Sequence, residues 1–267
     1  MRGSEHRGWL VATGRERRDL IVERARRQGF VAVEALATEL GVTPQTIRRD
    51  INELCEQNLL QRYHGGAGLP SSVENLAYSD RQVLNLEAKR RIARLVADAI
   101  PNHSSLFINI GTTTEEVARA LLGHSDLRIV TNNLHVAGLL SAEPSFEVIV
   151  TGGVVRTRDR GIVGEATLDV IRQFKVDYGV IGISGIDADG SLLDFDYREV
   201  RVAQAIIANS REVLLAADHS KFGRNAMVRL GDLSEIDALF TDLPPTPAMA
   251  ELLRQAKVAV HVTDPAA

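Results

Sequence analysis

The chain has 267 residues, of which 45% are hydrophobic and 25% are charged, and its formal net charge at pH 7 is −4. That composition is typical of a folded globular protein and argues against disorder. No run of about eighteen apolar residues is available to span a membrane, and the first residues lack the apolar core of a signal peptide, so a cytoplasmic protein without membrane contact is expected. The single cysteine, Cys55, excludes an intrachain disulfide and a multi-cysteine metal site.

Three helical patterns separated by short turns predict a small helical domain at the front of the chain. The patterns cover residues 15–28, 33–40 and 44 to about 57. Thr43 is a typical N-cap, and Pro44 suits the first position of the third helix. A strand over residues 59–64 and a tight turn at Gly65-Gly66 follow. This order predicts a winged helix-turn-helix domain over residues 14–67.

The third helix combines an apolar face with a basic one. Ile47, Ile51 and Leu54 recur at helical spacing and are expected to pack inward. The other face carries side chains that can contact bases and phosphates in a major groove. Together with the strand that follows, the candidate DNA-binding residues are Thr43, Gln45, Thr46, Arg48, Arg49, Arg62 and His64. A solvated, arginine-bearing face is the alternative, and Asp50 and Glu53 are expected to pair with nearby arginines.

Charge is distributed unevenly along the chain. Residues 1–64 carry 11 arginines against 9 acidic residues, a net charge of +2, whereas residues 65–267 carry −6. A mildly basic N-terminal part followed by an acidic remainder is compatible with DNA binding by the N-terminal domain alone.

Residues 68–85 contain Gly, Pro and Ser and are predicted to be a linker. Beyond it, apolar runs alternate with helical patterns. The candidate strands cover residues 106–110, 127–130, 146–150, 176–183, 213–217, 238–240 and 258–262. The candidate helices cover residues 87–99, 115–122, 134–141, 168–173, 197–209 and 248–255. Such alternation predicts a mostly parallel, doubly wound α/β domain over residues 86–267.

A Gly-Thr-Thr-Thr segment, residues 111–114, joins the first of these strands to its helix. Backbone N–H groups and the helix dipole attract an anion at such a junction, although an ordinary capped helix start is the alternative. Ligands in parallel sheets lie at the carboxyl ends of the strands, where small and polar residues recur. The candidate effector-binding residues are Asn109, Gly111, Thr112, Thr113, Thr114, Asn132, Gly153, Arg156, Ser184, Asp187 and Lys221.

Lys221 is distinctive because the chain has 27 arginines and only four lysines. In a loop of small residues, a lysine supplies a compact point charge that an arginine does not. An ordinary surface lysine is the alternative.

Two groups of motifs resemble the DeoR family of bacterial repressors. Residues 42–54 and 62–67 resemble its helix-turn-helix signature, and residues 164–169, 182–187, 194–197 and 218–228 resemble its effector domain. That domain shares its fold with sugar-phosphate isomerases and CoA transferases. The resemblance covers about residues 15–245, so residues 1–13 are expected to be a disordered extension. It implies that Gln45, Thr46, Arg48 and Arg49 enter the operator, with Arg62 and His64 as wing contacts.

The resemblance implies a DNA-binding repressor with no catalytic residues, no cofactor and no metal, acting on operator DNA as a homodimer or homotetramer. The effector-domain motifs resemble those of a family member that responds to sn-glycerol 3-phosphate, which is therefore the expected effector. Asn109 replaces the family's usual Asp before the Gly-Thr-Thr loop, so another sugar phosphate is an alternative effector. A sugar-phosphate isomerase-like enzyme is a further alternative, because Glu165, Asp187 and Asp218 could act as a base. Such an enzyme would not need the front domain.

Overall fold

A computed structural model describes residues 13–28, 30–57, 59–63, 65–68 and 78–263. The chain divides into two compact units, Met1–Ser71 and Ser72–Ala267. Within the described ranges, every helix is too short or too polar to span a lipid bilayer. Residues 1–12 of the predicted extension, His64 and residues 69–77 of the predicted linker lie outside these ranges.

The described part of the first unit contains three helices and a three-stranded antiparallel sheet of order β1-β3-β2. Its elements are α1 (Gly14–Gln28), β1 (Phe30–Ala32), α2 (Val33–Leu40), α3 (Pro44–Glu56), β2 (Gln61–Tyr63) and β3 (Gly66–Gly68). The three predicted helices and the strand after them are therefore confirmed. Gly66, predicted in a turn, begins β3 instead. The three-residue β1 was not predicted, because a run this short has no readable period.

The turn between α2 and α3 has the chemistry that its sequence predicts. Gly41 ends α2 in the left-handed conformation, with φ of 63°. Thr43 then caps α3, because its hydroxyl oxygen accepts a hydrogen bond from the Thr46 backbone N–H at 3.2 Å. Ile47, Ile51 and Leu54 of α3 are buried in the core of this unit. This packing fixes which side of α3 faces outward.

Asp50 also points inward, although it lies on a basic helix. Its carboxylate accepts hydrogen bonds from Arg17 Nε at 2.5 Å and from Arg17 Nη2 at 3.1 Å. Glu53 accepts one from Arg18 Nη1 at 2.8 Å. Both acidic residues therefore pair with arginines of α1, as expected from the sequence, and tie α1 to α3.

We expect Asp50→Asn to lower the free energy of unfolding of this unit by about 3 kcal/mol, because it removes the buried carboxylate charge that Arg17 faces. Glu53→Gln is the matched control, and it should cost less than about 1 kcal/mol because the Glu53 side chain is 41% exposed. Urea denaturation followed by circular dichroism measures both changes. Equal, small effects of the two variants would show that the Arg17–Asp50 pair contributes little.

The second unit is built on a seven-stranded sheet in which every neighbouring pair is parallel, with the order β15-β14-β12-β9-β4-β5-β6. Its strands are β4 (Ser105–Ile108), β5 (Arg128–Thr131), β6 (Glu147–Val150), β9 (Val176–Ile181), β12 (Ser210–Ala216), β14 (Ala238–Thr241) and β15 (Ala259–Val262). Its helices are α4 (Tyr78–Val83), α5 (Leu86–Asp98), α6 (Thr112–Ala120), α7 (Leu134–Leu140), α8 (Glu165–Ile171), α9 (Tyr197–Ala208) and α10 (Pro247–Gln255). All seven predicted strands and all six predicted helices are present.

Both faces of the sheet are covered by apolar cores. Phe107 of β4 belongs to one buried cluster, whereas its neighbours Leu106 and Ile108 belong to the other. Side chains alternate between the faces of a strand, so a strand buried on both sides needs a continuous apolar run. The predicted doubly wound α/β fold is confirmed on this basis.

Several short elements were not predicted. Strands β7 (Val154–Val155) and β8 (Ile162–Val163) pair with each other, and β10 (Gly185–Ile186), β11 (Ser191–Asp194) and β13 (Val228–Asp232) form a small antiparallel sheet. The predicted linker, residues 68–85, is too long, because α4 begins at Tyr78 within it. Tertiary contacts stabilise this helix, since the Tyr78 hydroxyl donates to Glu115 Oε2 at 2.7 Å.

Candidate functional site

The outward side of α3 presents the polar residues that the sequence proposes for DNA binding. The side chains of Gln45 and Arg49 are exposed and make no hydrogen bond or ion pair with the described residues. Arg48 is also exposed, and its Nη2 lies 3.1 Å from Glu34 Oε1 of α2. An ion pair this exposed contributes little. The Arg48 guanidinium can therefore leave Glu34 for a phosphate or a guanine.

Strand β2 adds a basic residue next to α3. Arg62 is exposed, and its Nη1 donates to Asn52 Oδ1 of α3 at 2.5 Å. The Thr46 hydroxyl lies 2.9 Å from that of Thr43 at the start of the same helix. The six described candidates thus lie on or beside α3, while the seventh, His64, is outside the described residues. Such a surface has the charge and hydrogen-bonding groups that a major groove requires.

The second unit contains a cavity of about 40 Å³ at the carboxyl ends of β4 and β9. This is the edge at which parallel sheets bind ligands. The lining residues already proposed from the sequence are Asn109, Gly111, Thr112, Thr113, Ser184 and Lys221. The polar lining residues that sequence reasoning missed are Tyr78, Arg81, Glu115, Asp159, Asp194 and Glu199.

The start of α6 forms one wall of this cavity. Gly111, the residue before the helix, has φ of 151°, and a Cβ there would lie 3.2 Å from Thr114 Oγ1. The fully buried Thr114 hydroxyl contacts two backbone carbonyls, at 2.7 Å from Asn109 O and 2.8 Å from Gly111 O. Thr114 therefore braces the loop, whereas Thr112 and Thr113 face the cavity. The first-turn N–H groups have no intrahelical acceptor and are available to an anion.

Two basic side chains, Arg81 and Lys221, line the cavity. Burial, together with the charges of Arg224, Lys89 and Arg81, lowers the pKa of Lys221 to about 8, against the effect of Asp218. The Lys221 ammonium makes no hydrogen bond or ion pair with the described residues. Arg81 Nε is buried and lacks a hydrogen-bond partner there. A buried lysine without a partner among the described residues, beside a second basic side chain, favours an anionic ligand.

Asn109 is buried at the end of β4, and only one end of its side-chain amide is used. Its Oδ1 accepts a hydrogen bond from the Ile110 backbone N–H at 2.8 Å. Its Nδ2 donates to none of the described residues and can serve a ligand oxygen instead. An amide therefore provides a donor at a position where a carboxylate would provide only acceptors.

Arg156, proposed as an effector-binding residue, pairs with carboxylates instead of lining the cavity. Its Nε and Nη2 contact Asp159 at 3.1 and 2.5 Å, and its Nη1 contacts Asp196 at 3.2 Å as well as Glu199. Arg158 Nη2 reaches Glu199 at 2.6 Å. Two of the partners, Asp159 and Glu199, do line the cavity. Arg156 thus positions these two carboxylates of the cavity wall and offsets part of their negative charge.

Three other proposed residues also lie away from the cavity lining. Asn132 Nδ2 donates to Ile162 O at 3.1 Å, and Asp187 Oδ1 accepts from the Ala188 backbone N–H at 2.7 Å. Gly153 has φ of 135°, and a Cβ there would lie 2.4 Å from Thr167 Oγ1. These positions serve local backbone geometry, which residue type alone does not distinguish from ligand contact.

We expect Gly153→Ala to lower the free energy of unfolding by about 3 kcal/mol, because the positive φ and the clash with Thr167 both oppose a side chain. Gly152→Ala is the matched control, since no atom lies within 4 Å of its added Cβ. Thermal denaturation measures the two effects. If Gly153→Ala is as stable as the wild type but binds the effector more weakly, Gly153 is an effector-binding residue instead.

The missed lining residues had weak sequence signals. Tyr78 and Arg81 lie in a stretch predicted to be a linker. Asp194 lies in a motif that carries the family resemblance, but nothing in its local spacing indicates burial. Only tertiary packing brings these side chains to the cavity.

Comparison with known proteins gives consistent matches over both units. The DeoR-like helix-turn-helix domain matches residues 17–73, and the DeoR C terminal sensor domain matches residues 84–243. The glycerol-3-phosphate regulon repressor of Escherichia coli (strain K12) is 58% identical over 238 residues, 89% of this chain and 94% of that protein. The HTH-type transcriptional repressor CsqR of the same strain is 43% identical over 248 residues, 93% of this chain and 95% of that protein.

Similarity to solved structures is much more distant. Ribose 5 phosphate isomerase A from Neisseria gonorrhoeae is 14% identical, with a TM-score of 0.38. The match covers 50% of this chain and 52% of that chain. A likeness at this level supports no statement about function.

Proposed function

The chain belongs to the DeoR family of helix-turn-helix regulators, and we propose that it is a cytoplasmic repressor of glycerol 3-phosphate metabolism genes that sn-glycerol 3-phosphate releases from its operator. The observation that carries this proposal is the cavity at which the start of α6 meets Lys221, whose ammonium has no partner among the described residues, and Arg81, whose Nε has no hydrogen-bond partner there. The 58% identity to a glycerol-3-phosphate regulon repressor supports this choice of effector.

In this proposal the first unit reads the operator through α3. Arg49 and Gln45 have no side-chain partner among the described residues, where Arg48 is held only by an exposed ion pair. Arginine pairs with guanine and glutamine with adenine through two hydrogen bonds each. A homodimer or homotetramer would present two such helices to the two halves of a symmetric operator.

The second unit would bind the phosphate at the start of α6. Backbone N–H groups at a helix start, together with a lysine and an arginine, form the donor set that phosphate requires. Asn109 would donate its free Nδ2 hydrogen to a hydroxyl oxygen of the effector. Asn109 in place of the family's usual Asp is thus compatible with a polyol phosphate.

Effector binding would change the shape of the cavity. The cavity of about 40 Å³ is lined by residues of several elements, so a ligand bound in it would contact all of them. Tyr78 and Arg81 of α4 form part of the wall, and the chain before α4 leads to the DNA-binding unit. We therefore infer that the effector acts by shifting α4. It can change DNA affinity only as far as it binds the two conformations differently.

Fluorescence anisotropy with labelled operator DNA tests the proposal. The protein should bind the operator at nanomolar concentrations and leave it when sn-glycerol 3-phosphate is added. No release at millimolar concentrations would contradict glycerol 3-phosphate as the effector, and a screen of other three- to six-carbon phosphates would then identify it. Sugar-phosphate isomerase turnover by the purified protein would favour the enzymatic alternative.

Effector affinity should decrease as pH rises through about 8, the lowered pKa of Lys221. The protonated amine binds the phosphate, which is already a dianion there because its second pKa is about 6. The decrease should approach about tenfold per pH unit, since one proton is lost. Lys221→Arg should keep the affinity and flatten the profile, because arginine stays charged. Titration calorimetry from pH 7 to 9.5 measures the effector affinity of the wild type and of Lys221→Arg. If the two proteins show the same dependence on pH, the titrating group is Lys89, whose pKa is also about 8.

A further inference from the structure

We propose that Asp194 makes the cavity selective for phosphorylated polyols with an uncharged tail and excludes phosphorylated carboxylic acids. This inference rests on the proposed function, because it assumes that a phosphate group occupies the cavity. It adds the residue that determines which phosphates are accepted.

Asp194 is a buried carboxylate with an unused oxygen. The residue is 8% exposed and lines the cavity at the end of β11. Its Oδ1 accepts hydrogen bonds from Ser184 Oγ at 3.0 Å and from the Phe195 backbone N–H at 2.7 Å. Its Oδ2 accepts none from the described residues. A buried acceptor without a hydrogen bond favours a ligand that supplies a hydrogen-bond donor.

Asp194 differs from Asp159 and Glu199, two other carboxylates of the wall, because it lacks an arginine partner among the described residues. Asp159 and Glu199 both pair with the guanidinium groups of Arg156 and Arg158, which offset their charges. Asp194 has no cationic nitrogen within 4.0 Å among the described residues. Burial raises the pKa of Asp194, although Arg81 and Arg224 act in the opposite direction. When Asp194 is ionised, its carboxylate would repel a second anionic group on the ligand at this position.

A hydroxyl group fits the unused oxygen better than a cation does. Arg81 and Lys221 already line the cavity and would repel a ligand ammonium group. No cluster of three or more metal-ligating side chains exists among the described residues. A hydroxyl can both donate to a carboxylate oxygen and accept from an amide N–H, and Asp194 and Asn109 supply these two groups in the cavity wall. The geometry thus matches a neutral, hydroxylated tail.

Two probes of the same carbon number test the inference by calorimetric titration of the full chain. One is sn-glycerol 3-phosphate, and the other is 3-phosphoglycerate, which carries a carboxylate in place of the terminal hydroxymethyl group. The wild-type protein should prefer the first by about 100-fold or more, because like charges in a buried site repel strongly. Asp194→Asn keeps the shape of the side chain and should reduce this preference by about tenfold or more, weakening the first probe and strengthening the second.

Asp189→Asn is the matched control, because Asp189 is an exposed residue of the β10–β11 turn whose Oδ1 accepts from the Ser191 backbone N–H at 2.8 Å. It should keep the wild-type preference. Equal binding of both probes by the wild-type protein would overturn the inference and leave the proposed function intact, and this comparison needs no variant to fold. An unchanged preference in a folded Asp194→Asn would also overturn it. Failure of the wild-type protein to bind either probe would overturn both the inference and glycerol 3-phosphate as effector.

Discussion

Arg49→Ala is expected to weaken operator binding by about 5- to 150-fold, the loss of one arginine contact to a guanine at about 1–3 kcal/mol. Arg49 is exposed on α3 and has no partner among the described residues, so its guanidinium is free for DNA. Arg48→Ala should act in the same direction, because the pair with Glu34 that it breaks is exposed and weak. Anisotropy with a labelled operator measures the affinity.

Arg172→Ala is the matched control for this prediction. It removes the same charge from an exposed position of the second unit and should leave operator affinity unchanged. The affinity of Arg49→Ala for sn-glycerol 3-phosphate should also equal that of the wild type. If Arg49 contacts a phosphate and not a base, the slope of log affinity against log salt should fall by about 0.9. Wild-type operator affinity in both arginine variants would exclude α3 as the recognition helix.

Lys221→Ala is expected to produce a repressor that binds its operator normally but is no longer released by physiological effector concentrations. The variant removes a charged donor from the phosphate, which should weaken effector binding by about 10- to 150-fold. Its stability should change little, because the ammonium makes no hydrogen bond or ion pair with the described residues. Calorimetry measures effector affinity, and anisotropy measures operator release.

Lys175→Ala is the control for Lys221→Ala. Lys175 carries the same charge but donates to the Ala208 and Ser210 backbone carbonyls at 3.1 and 3.0 Å. Its removal should leave effector affinity and operator release unchanged. If Lys221→Ala also retains wild-type effector affinity, Lys221 is an ordinary lysine and the phosphate lies elsewhere.

The cavity was only partly predictable from the sequence. Asn109, Gly111, Thr112 and Thr113, proposed as effector-binding residues, line the cavity, because they follow a buried strand directly and the topology of a parallel sheet places such residues at the ligand edge. Arg156 also follows a strand, but it is paired with carboxylates. No local sequence pattern distinguishes an arginine that binds a ligand from one that pairs with carboxylates of the cavity wall.

The extent of the linker was predicted incorrectly for a related reason. Residues 78–83 have weak periodicity and follow a segment with Gly, Pro and Ser. The helix that they form is held by Tyr78 bonding to Glu115, which is 37 residues away along the chain. An interaction over that separation overrides local propensity.

The amino-acid sequence alone determined the described α-helices other than α4, the seven-stranded sheet, the basic face of α3 and the loop at the start of α6. Each of these depends on side-chain period, on capping residues or on a run of apolar residues, all of which are properties of neighbours in the chain. The tertiary structure alone decided which charges are free. Arg156 finds Asp196 at a separation of 40 residues, while Lys221 and Asp194 Oδ2 find no partner among the described residues. Free and neutralised charges look the same in a sequence, because pairing depends on distance in space and desolvation depends on packing from every side.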